Sequence, residues 1–215
     1  EKHYGPDSYE VALIVEHLGI TYGQLGDSKK QRDLLERASL ILEKHIGPAH
    51  NKMATILTNL GNAYGDLGDV DKERELLERA LVIKEAHYGS DNYQVAVTLT
   101  NLATAYGNLG EANNQKELLE KALPIMEAHY GPDNYQVAMT LTNLGSAYGD
   151  LGDMNKQRVV LEKALPIMEA HYGPDNYHMA KTLANLGHAY GELGDINKKR
   201  ELLERAIAIK EAHYG

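Results

Sequence analysis

The feature that most constrains this chain is its period. The phrase running from His129 to Ala170, HYGPDNYQVAMTLTNLGSAYGDLGDMNKQRVVLEKALPIMEA, returns along the whole sequence. His3, His45, His87, His129, His171 and His213 each open a version of it, 42 residues apart. Such a period points to a solenoid rather than to globular domains, because one unit cannot bury its own apolar face and must stack on its neighbours. The expected organisation is a single array over 1–215, with units at 3–44, 45–86, 87–128, 129–170 and 171–212 and a partial unit at 213–215. The chain starts inside one unit and stops inside another, which we read as a piece of a longer array.

Composition narrows the function classes. Apolar residues make up 43% of the chain without a run of eighteen, which argues against a membrane span. Cysteine is absent, so disulfides and thiolate metal sites are ruled out, and a reducing, cytoplasmic setting fits. A net charge of −9 argues against nucleic acid, whose phosphates need clustered Lys and Arg. Most charges fall as mixed pairs on the second half of each unit, at Asp33/Arg37, Glu75/Arg79, Glu117/Lys121 and Glu201/Arg205. That i,i+4 spacing reads as a solvated helix face with ~0.3–0.5 kcal/mol per pair.

Each unit reads as a helical hairpin. A first helix starts near Asp133-Asn134, where Asp can cap free amides, and carries Tyr135, Ala138, Leu141, Leu144, Ala147, Tyr148 and Leu151 at helical spacing. Gly152-Asp153 stops it. A second helix runs from Met154 through Val160, Leu161, Ala164, Leu165 and Ile167 to Tyr172, with Gly173-Pro174 as its stop. Helices of about seventeen to nineteen residues would be ~25–29 Å long. Unit one departs most in its first helix, at Ile14-Val15-Glu16-His17, and unit two in its entry turn, at Ala49-His50-Asn51-Lys52.

The phrase NLGSAYGDLGD, followed by the Ala of EKAL, resembles the tetratricopeptide repeat. Leu144, Gly145 and Tyr148 match its first-helix signature, Gly152-Asp153 its turn, and Leu161 and Ala164 its second helix. The period and the HYGPDNY lead-in are similar to the longer repeats of kinesin light chains and related bacterial arrays. The resemblance covers all five units and implies an all-α, right-handed superhelical α-solenoid with the first helices on its concave wall. Two departures stand out. The family's small residue before Leu161 is Gln157 here, with Gln31, Glu73, Gln115 and Lys199 in the other units; a long polar side chain is not expected to fit that tight contact, so the helices of a unit should cross differently from the standard repeat. Pro124 and Pro166 fall inside the second helix, where they forfeit a backbone bond at ~3 kcal/mol and predict a kink or break.

The resemblance also nominates a binding wall: Asn59, Asn101, Asn143 and Asn185 form one row, with His17 in the first unit. In related superhelices such an asparagine ladder holds the backbone of an extended peptide, and an amide suits that role because it both donates and accepts. The alternative is that each Asn bonds within the stack. Beside the row lie Thr58, Thr100 and Thr142, then Asn62, Thr104, Ser146 and His188. None of these positions is Lys, which the family's carboxylate clamp uses, so capture of an acidic tail is not expected. Gly65, Gly107, Gly149 and Gly191 follow, with Asp66, Asp150 and Glu192 beside them; the glycines predict close helix packing, and the acids favour a neutral or basic ligand.

The histidine series would be spaced ~10 Å apart, too far for shared metal ligation, and helix C-termini explain it better. The tyrosine rows read as packing between units. No catalytic constellation or phosphate loop recurs, and no cofactor is called for. The expectation is a non-enzymatic scaffold that binds an extended or partly helical polypeptide segment on its concave face. Head-to-tail self-association into a structural array, or service as the sensor region of a larger signalling ATPase, are the alternatives.

Overall fold

The computed structural model describes residues 5–214, without the side chain of Tyr214; His3, and Gly215 of the partial unit, lie outside them. All regular elements among the described residues are α-helices. The chain divides into two compact units, Glu1–Leu109 and Gly110–Gly215. The first holds α1 (Tyr9–Gln24), α2 (Ser28–Ile46), α3 (Asn51–Asp66), α4 (Val70–Tyr88) and α5 (Tyr93–Asn108). The second holds α6 (Ala112–Tyr130), α7 (Tyr135–Asp150), α8 (Met154–Tyr172), α9 (Met179–Glu192) and α10 (Ile196–Tyr214). Within each unit every helix packs on the next, and the first helices of successive repeats also touch, α1 on α3 on α5 and α7 on α9. The result is a helical-repeat solenoid fold.

Local chemistry sets the helix ends. The second helices run the expected course, α8 from Met154 to Tyr172. Gly152 adopts φ +77°, a left-handed conformation that glycine takes at little cost, and Asp153 then caps α8 by accepting the Lys156 N–H at 3.1 Å. At the start of α7 the cap is Asn134, which accepts the Gln136 N–H at 2.9 Å, rather than Asp133. Asn134 has the extended backbone of a cap and stands directly before the first helical residue, whereas Asp133 lies one position too early. First helices are 16 residues long, shorter than the spacing predicts, and α9 has 14 because Tyr177-His178 stay in the turn.

The two helices of a repeat bury different amounts of surface. Flanked by α6, α8 and α9, α7 buries Val137, Ala138, Leu141, Leu144, Gly145, Ala147 and Tyr148. Its partner α8 buries only a narrow strip, Gln157, Leu161, Ala164 and Met168, and leaves the expected Leu165 and Ile167 partly exposed. In the first unit Leu35, Ala54, Leu57, Leu60, Leu76 and Ala80 close into one cluster, each large side chain contributing ~1.5–3 kcal/mol on burial.

Several expectations are corrected here. The long polar residue does sit in the tight helix contact, because the small partner has moved to the opposite helix. A methyl on Gly65 would lie 2.5 Å from the Glu73 carboxyl, and one on Gly23 2.5 Å from Gln31; Gly149 faces Gln157 and Gly191 faces Lys199 in the same way. No break occurs at the prolines, since α6 and α8 run uninterrupted through Pro124 and Pro166 and match α4 in length. Both prolines are on the exposed face, as are Glu120 and Glu162, so the orphaned carbonyls can turn to water. Finally, three of the residues nominated as i,i+4 pairs take other partners. Glu75 pairs with Lys72, Asp33 with Arg32, and Arg205 reaches across to Glu169 at 2.6 Å and to the Pro174 carbonyl at 2.9 Å.

Aromatic rows fasten one repeat to the next. The hydroxyls of Tyr106 and Tyr148 each donate at 2.7 Å, to Glu78 and Glu120, while Tyr64 and Tyr190 donate likewise to Glu36 and Glu162. In every case the acid belongs to the preceding second helix. His45, His87, His129, His171 and His213 stand in the last turns of the second helices, where His171 stacks on Tyr135 at 4.2 Å and His45 Nε2 meets the Asp7 carbonyl at 2.9 Å.

Candidate functional site

The first helices present the nominated side chains because their spacing carries one stripe to the neighbour and the next to solvent. In the first unit, Asn59 and Asn62 on α3 and Asn101 and Thr104 on α5 line a cavity of about 580 Å³. Asn101 Nδ2 donates to Asn62 Oδ1 at a long 3.4 Å. Gln31 Nε2 donates to the Asn59 carbonyl at 3.3 Å, leaving the Asn59 amide group to face the cavity. Gln24, Asp66, Glu73 and Asn108 complete a polar lining that contains no Lys, Arg or His.

In the second unit Thr142 and Asn143 line a separate cavity of about 430 Å³, together with Met139, Tyr177, His178, Lys181 and Lys210. Lys181 Nζ approaches Asn143 Oδ1 at 3.4 Å, and burial holds its pKa below the ordinary lysine value. Asn185 Nδ2 donates to Ser146 Oγ at 2.9 Å. Asn101 and Asn185 thus bond to the first helix of the preceding repeat, the stack-stabilising alternative, while all four asparagines keep partial exposure.

The hydroxyl positions divide. Thr58 and Thr142 are buried, at 8% and 6% exposure, and so belong to the packing more than to an open wall. Thr58 bonds the Ala54 carbonyl at 2.8 Å, and Thr142 meets the Thr182 hydroxyl at 3.1 Å. Thr100, Thr104 and Ser146 each donate to a carbonyl one turn back, at 3.0, 3.1 and 3.3 Å. Back-bonding of this kind satisfies the donor and leaves the oxygen able to accept. His188 and His17 are exposed.

Sequence reasoning missed the cavity floor. Glu73 is only 7% exposed, its Oε2 is shielded and makes no hydrogen bond, and its pKa is raised to about 7, first by burial and then by the nearby Asp66 charge. The signal was present as a helix-interior glycine followed eight residues later by a long polar residue, as in Gly65 and Glu73. Lys181 and Lys210 were missed as well, because the nominated positions excluded them. Among the described residues no group of three or more His, Asp or Glu side chains could hold a metal ion, and no helix is long and apolar enough to cross a membrane.

Family models described as tetratricopeptide repeat match residues 8–86, 52–115, 94–170 and 179–215. No curated protein sequence matches the chain. Among solved structures, a Podosopora anserina protein of kinesin light chain type with nearly identical TPR-like repeats is similar at 23% identity and a TM-score of 0.75, over 96% of this chain and 98% of that one. BtubC (BKLC) from P. vanneervenii is similar at 25% identity and a TM-score of 0.77, over 96% and 82%. MamA of MSR-1 follows at 23% identity and a TM-score of 0.63, over 94% and 98%.

Proposed function

We propose a function from one premise: the chain belongs to the tetratricopeptide repeat family, whose members mediate protein–protein interaction or scaffolding and are typically not enzymes. On our reading, this chain binds an extended or partly helical polypeptide segment along the amide-bearing faces of its first helices. The observation that carries the reading is the cavity of the first unit, which Asn59, Asn62 and Asn101 line and where the Asn62 and Asn101 amides are joined by one long bond. An Asn amide can give and take a hydrogen bond with a peptide group without demanding a particular side chain. Exchanging a 3.4 Å internal bond for a shorter one to a ligand costs little, since a net hydrogen bond contributes ~0.5–1.5 kcal/mol.

The test is a peptide selected on the protein from a random display library, its affinity measured by calorimetry. Alanine at Asn101, Asn143 and Asn185 together should weaken binding at least tenfold with helix content intact by circular dichroism. Unchanged affinity with an intact fold refutes the groove.

Self-association is the second reading, favoured by apolar side chains exposed on α1 (Ile14 68%, Leu18 45%) and α10 (Ile196 63%, Ile207 55%). Sedimentation over a hundredfold concentration range separates the readings. A species that stays monomeric throughout refutes self-stacking in solution.

A further inference from the structure

Buried carboxylates in the first unit meet two different fates. Glu16, at 3% exposure, is paired: Lys52 Nζ lies 3.1 Å from its Oε2. Glu73, at 7% exposure, has no ion-pair partner among the described residues, and its shielded Oε2 makes no hydrogen bond. A buried charge without a partner costs several kcal/mol, so a chain that supplies Lys52 to one acid and nothing to the other leaves a defined vacancy in its electrostatics.

The register of Glu73 sharpens the contrast. The same position holds Gln31, Gln115, Gln157 and Lys199 in the other repeats, so a neutral amide fits the helix contact. Gln31 donates to the Asn59 carbonyl at 3.3 Å, while Gln115 and Gln157 each keep a buried oxygen without a hydrogen bond, as Glu73 does. Glutamine fills the same space and an ionised carboxylate cannot make the Gln31 bond, so packing does not call for an acid at position 73. What it adds is negative charge at the wall of an open cavity of about 580 Å³, within the ~300–1,000 Å³ typical of ligand pockets. Asp66 contributes a second negative charge, and every remaining lining group is apolar, a hydroxyl, an amide or glycine.

We propose that this cavity takes the basic side chain, Lys or Arg, of a bound polypeptide, with Glu73 as its counter-ion, Asp66 as a second acid and the amide oxygens of Asn59 and Asn62 accepting the remaining N–H groups. The inference rests on the peptide-binding reading above and assigns that peptide its chemistry at one position. It uses the neutral or basic preference of the site's charge and locates it in one residue. Ionic hydrogen bonds are about twice as strong as neutral ones.

Binding is then linked to protons. Glu73 in the free protein is held partly protonated at neutral pH by burial and by Asp66. The other groups facing it from α1, α2 and α5 are uncharged: Gln24, Gln31, Asn101, Thr104 and Asn108. A cation in the cavity lowers the Glu73 pKa, so complex formation releases a proton and affinity rises with pH from about 6 to 8.

The experiment titrates isotope-labelled protein with four blocked pentapeptides, acetyl-Gly-Gly-X-Gly-Gly-amide with X as Arg, Lys, Gln or Glu. The side-chain amide signals of Asn62 and Asn101 are followed at pH 6 and pH 8. The expected result is that the Arg and Lys peptides bind roughly tenfold more tightly than the Gln peptide at pH 8. That preference shrinks at pH 6, and the Glu peptide binds worst. Glu73→Gln, which copies the residue of repeats one, three and four, should abolish the preference and leave the Gln peptide's affinity unchanged. Equal binding of the Arg and Gln peptides, or an unchanged preference in Glu73→Gln, overturns the basic-pocket inference while the groove stands. If no peptide moves either amide signal, the groove reading fails together with it.

Discussion

Lys84 offers the sharpest test of the packing argument. It stands in α4 at 7% exposure, in the register that holds Leu42, Met126 and Met168, at 0%, 3% and 3%, and an exposed Lys210 in the last repeat. Its ammonium has one polar contact, a 2.8 Å bond to the Thr98 hydroxyl, and burial pulls its pKa below the ordinary value near 10.5. Thr98 also donates to the Gln94 carbonyl at 3.0 Å, so it stays satisfied if the lysine goes. Removing an unpaired buried charge should gain several kcal/mol, offset by the lost ionic hydrogen bond of ~1.5–3 kcal/mol. Lys84→Met, which copies two sister repeats, should therefore stabilise the protein by about 2 kcal/mol, a rise of about 4–8 °C in Tm for a chain of this length. Thermal melts at 222 nm and pH 7 read it. The sign of the pH dependence provides a second check. Below the depressed folded pKa the penalty is whole. As pH climbs through that value towards 10.5, the unfolded chain holds a proton the folded one lacks, so wild type gains stability and the gap to Lys84→Met narrows. A methionine variant no more stable than wild type at pH 7 refutes the claim that this ammonium is uncompensated.

Other perturbations follow from the same geometry. Tyr148→Phe removes the 2.7 Å bond to Glu120 and should cost about 1 kcal/mol in urea titrations. Burial together with Glu120 holds the Tyr148 pKa at about 12, and Glu36 together with burial holds Tyr64 there. The folded state thus keeps phenolic protons that the unfolded state loses, so stability is whole below pH 10 and falls as pH rises from 10 to 12, which melts paired with absorbance at 295 nm would follow. Pro166→Ala, which copies Ala208 of the last repeat, restores a backbone bond to Glu162 and should raise stability by ~1–3 kcal/mol, read by urea titration. Glu111 makes no side-chain cap bond to α6 where Asp69 and Asp153 cap their helices. Glu111→Asp should add about 0.5–1 kcal/mol, read by denaturant titration.

Much of this fold could be read from residue types alone, and the reasons are local. Gly152-Asp153 and Gly173 set the ends of α8 through backbone preferences that act within one turn. The partnership between Gly65 and Glu73 could not be read that way, because it exchanges the small and large members of a contact across two helices, and each member alone looks like a departure. The prolines misled for a related reason. Whether a missing hydrogen bond breaks a helix depends on whether the freed carbonyl meets water, and that depends on which face is covered. The asparagine row was nominated through the family resemblance, and no residue type foretold the burial of Thr58 and Thr142 beside it. Those hydroxyls sit one residue from the partly exposed Asn59 and Asn143, and only the approach of a neighbouring first helix decides between the two.

The left-handed glycines carry a consequence for how such a gene can grow. They recur from Gly26 through Gly47, Gly68, Gly89 and on to Gly194 at half the sequence period, but in two kinds of turn: Gly26 and Gly68 follow a helix-ending leucine and precede an Asp cap, whereas Gly47 and Gly89 are themselves the caps and leave three residues before the next helix. Unequal recombination that inserts or removes a full period in any frame therefore rejoins a glycine to a capping residue and returns an intact chain. A half-period slip would join the wrong turn to each helix and set a first helix in the place of a second. Gly65 and its counterparts would then lose the long side chains that fill the space beside them, so packing and turn geometry together keep duplication in whole repeats.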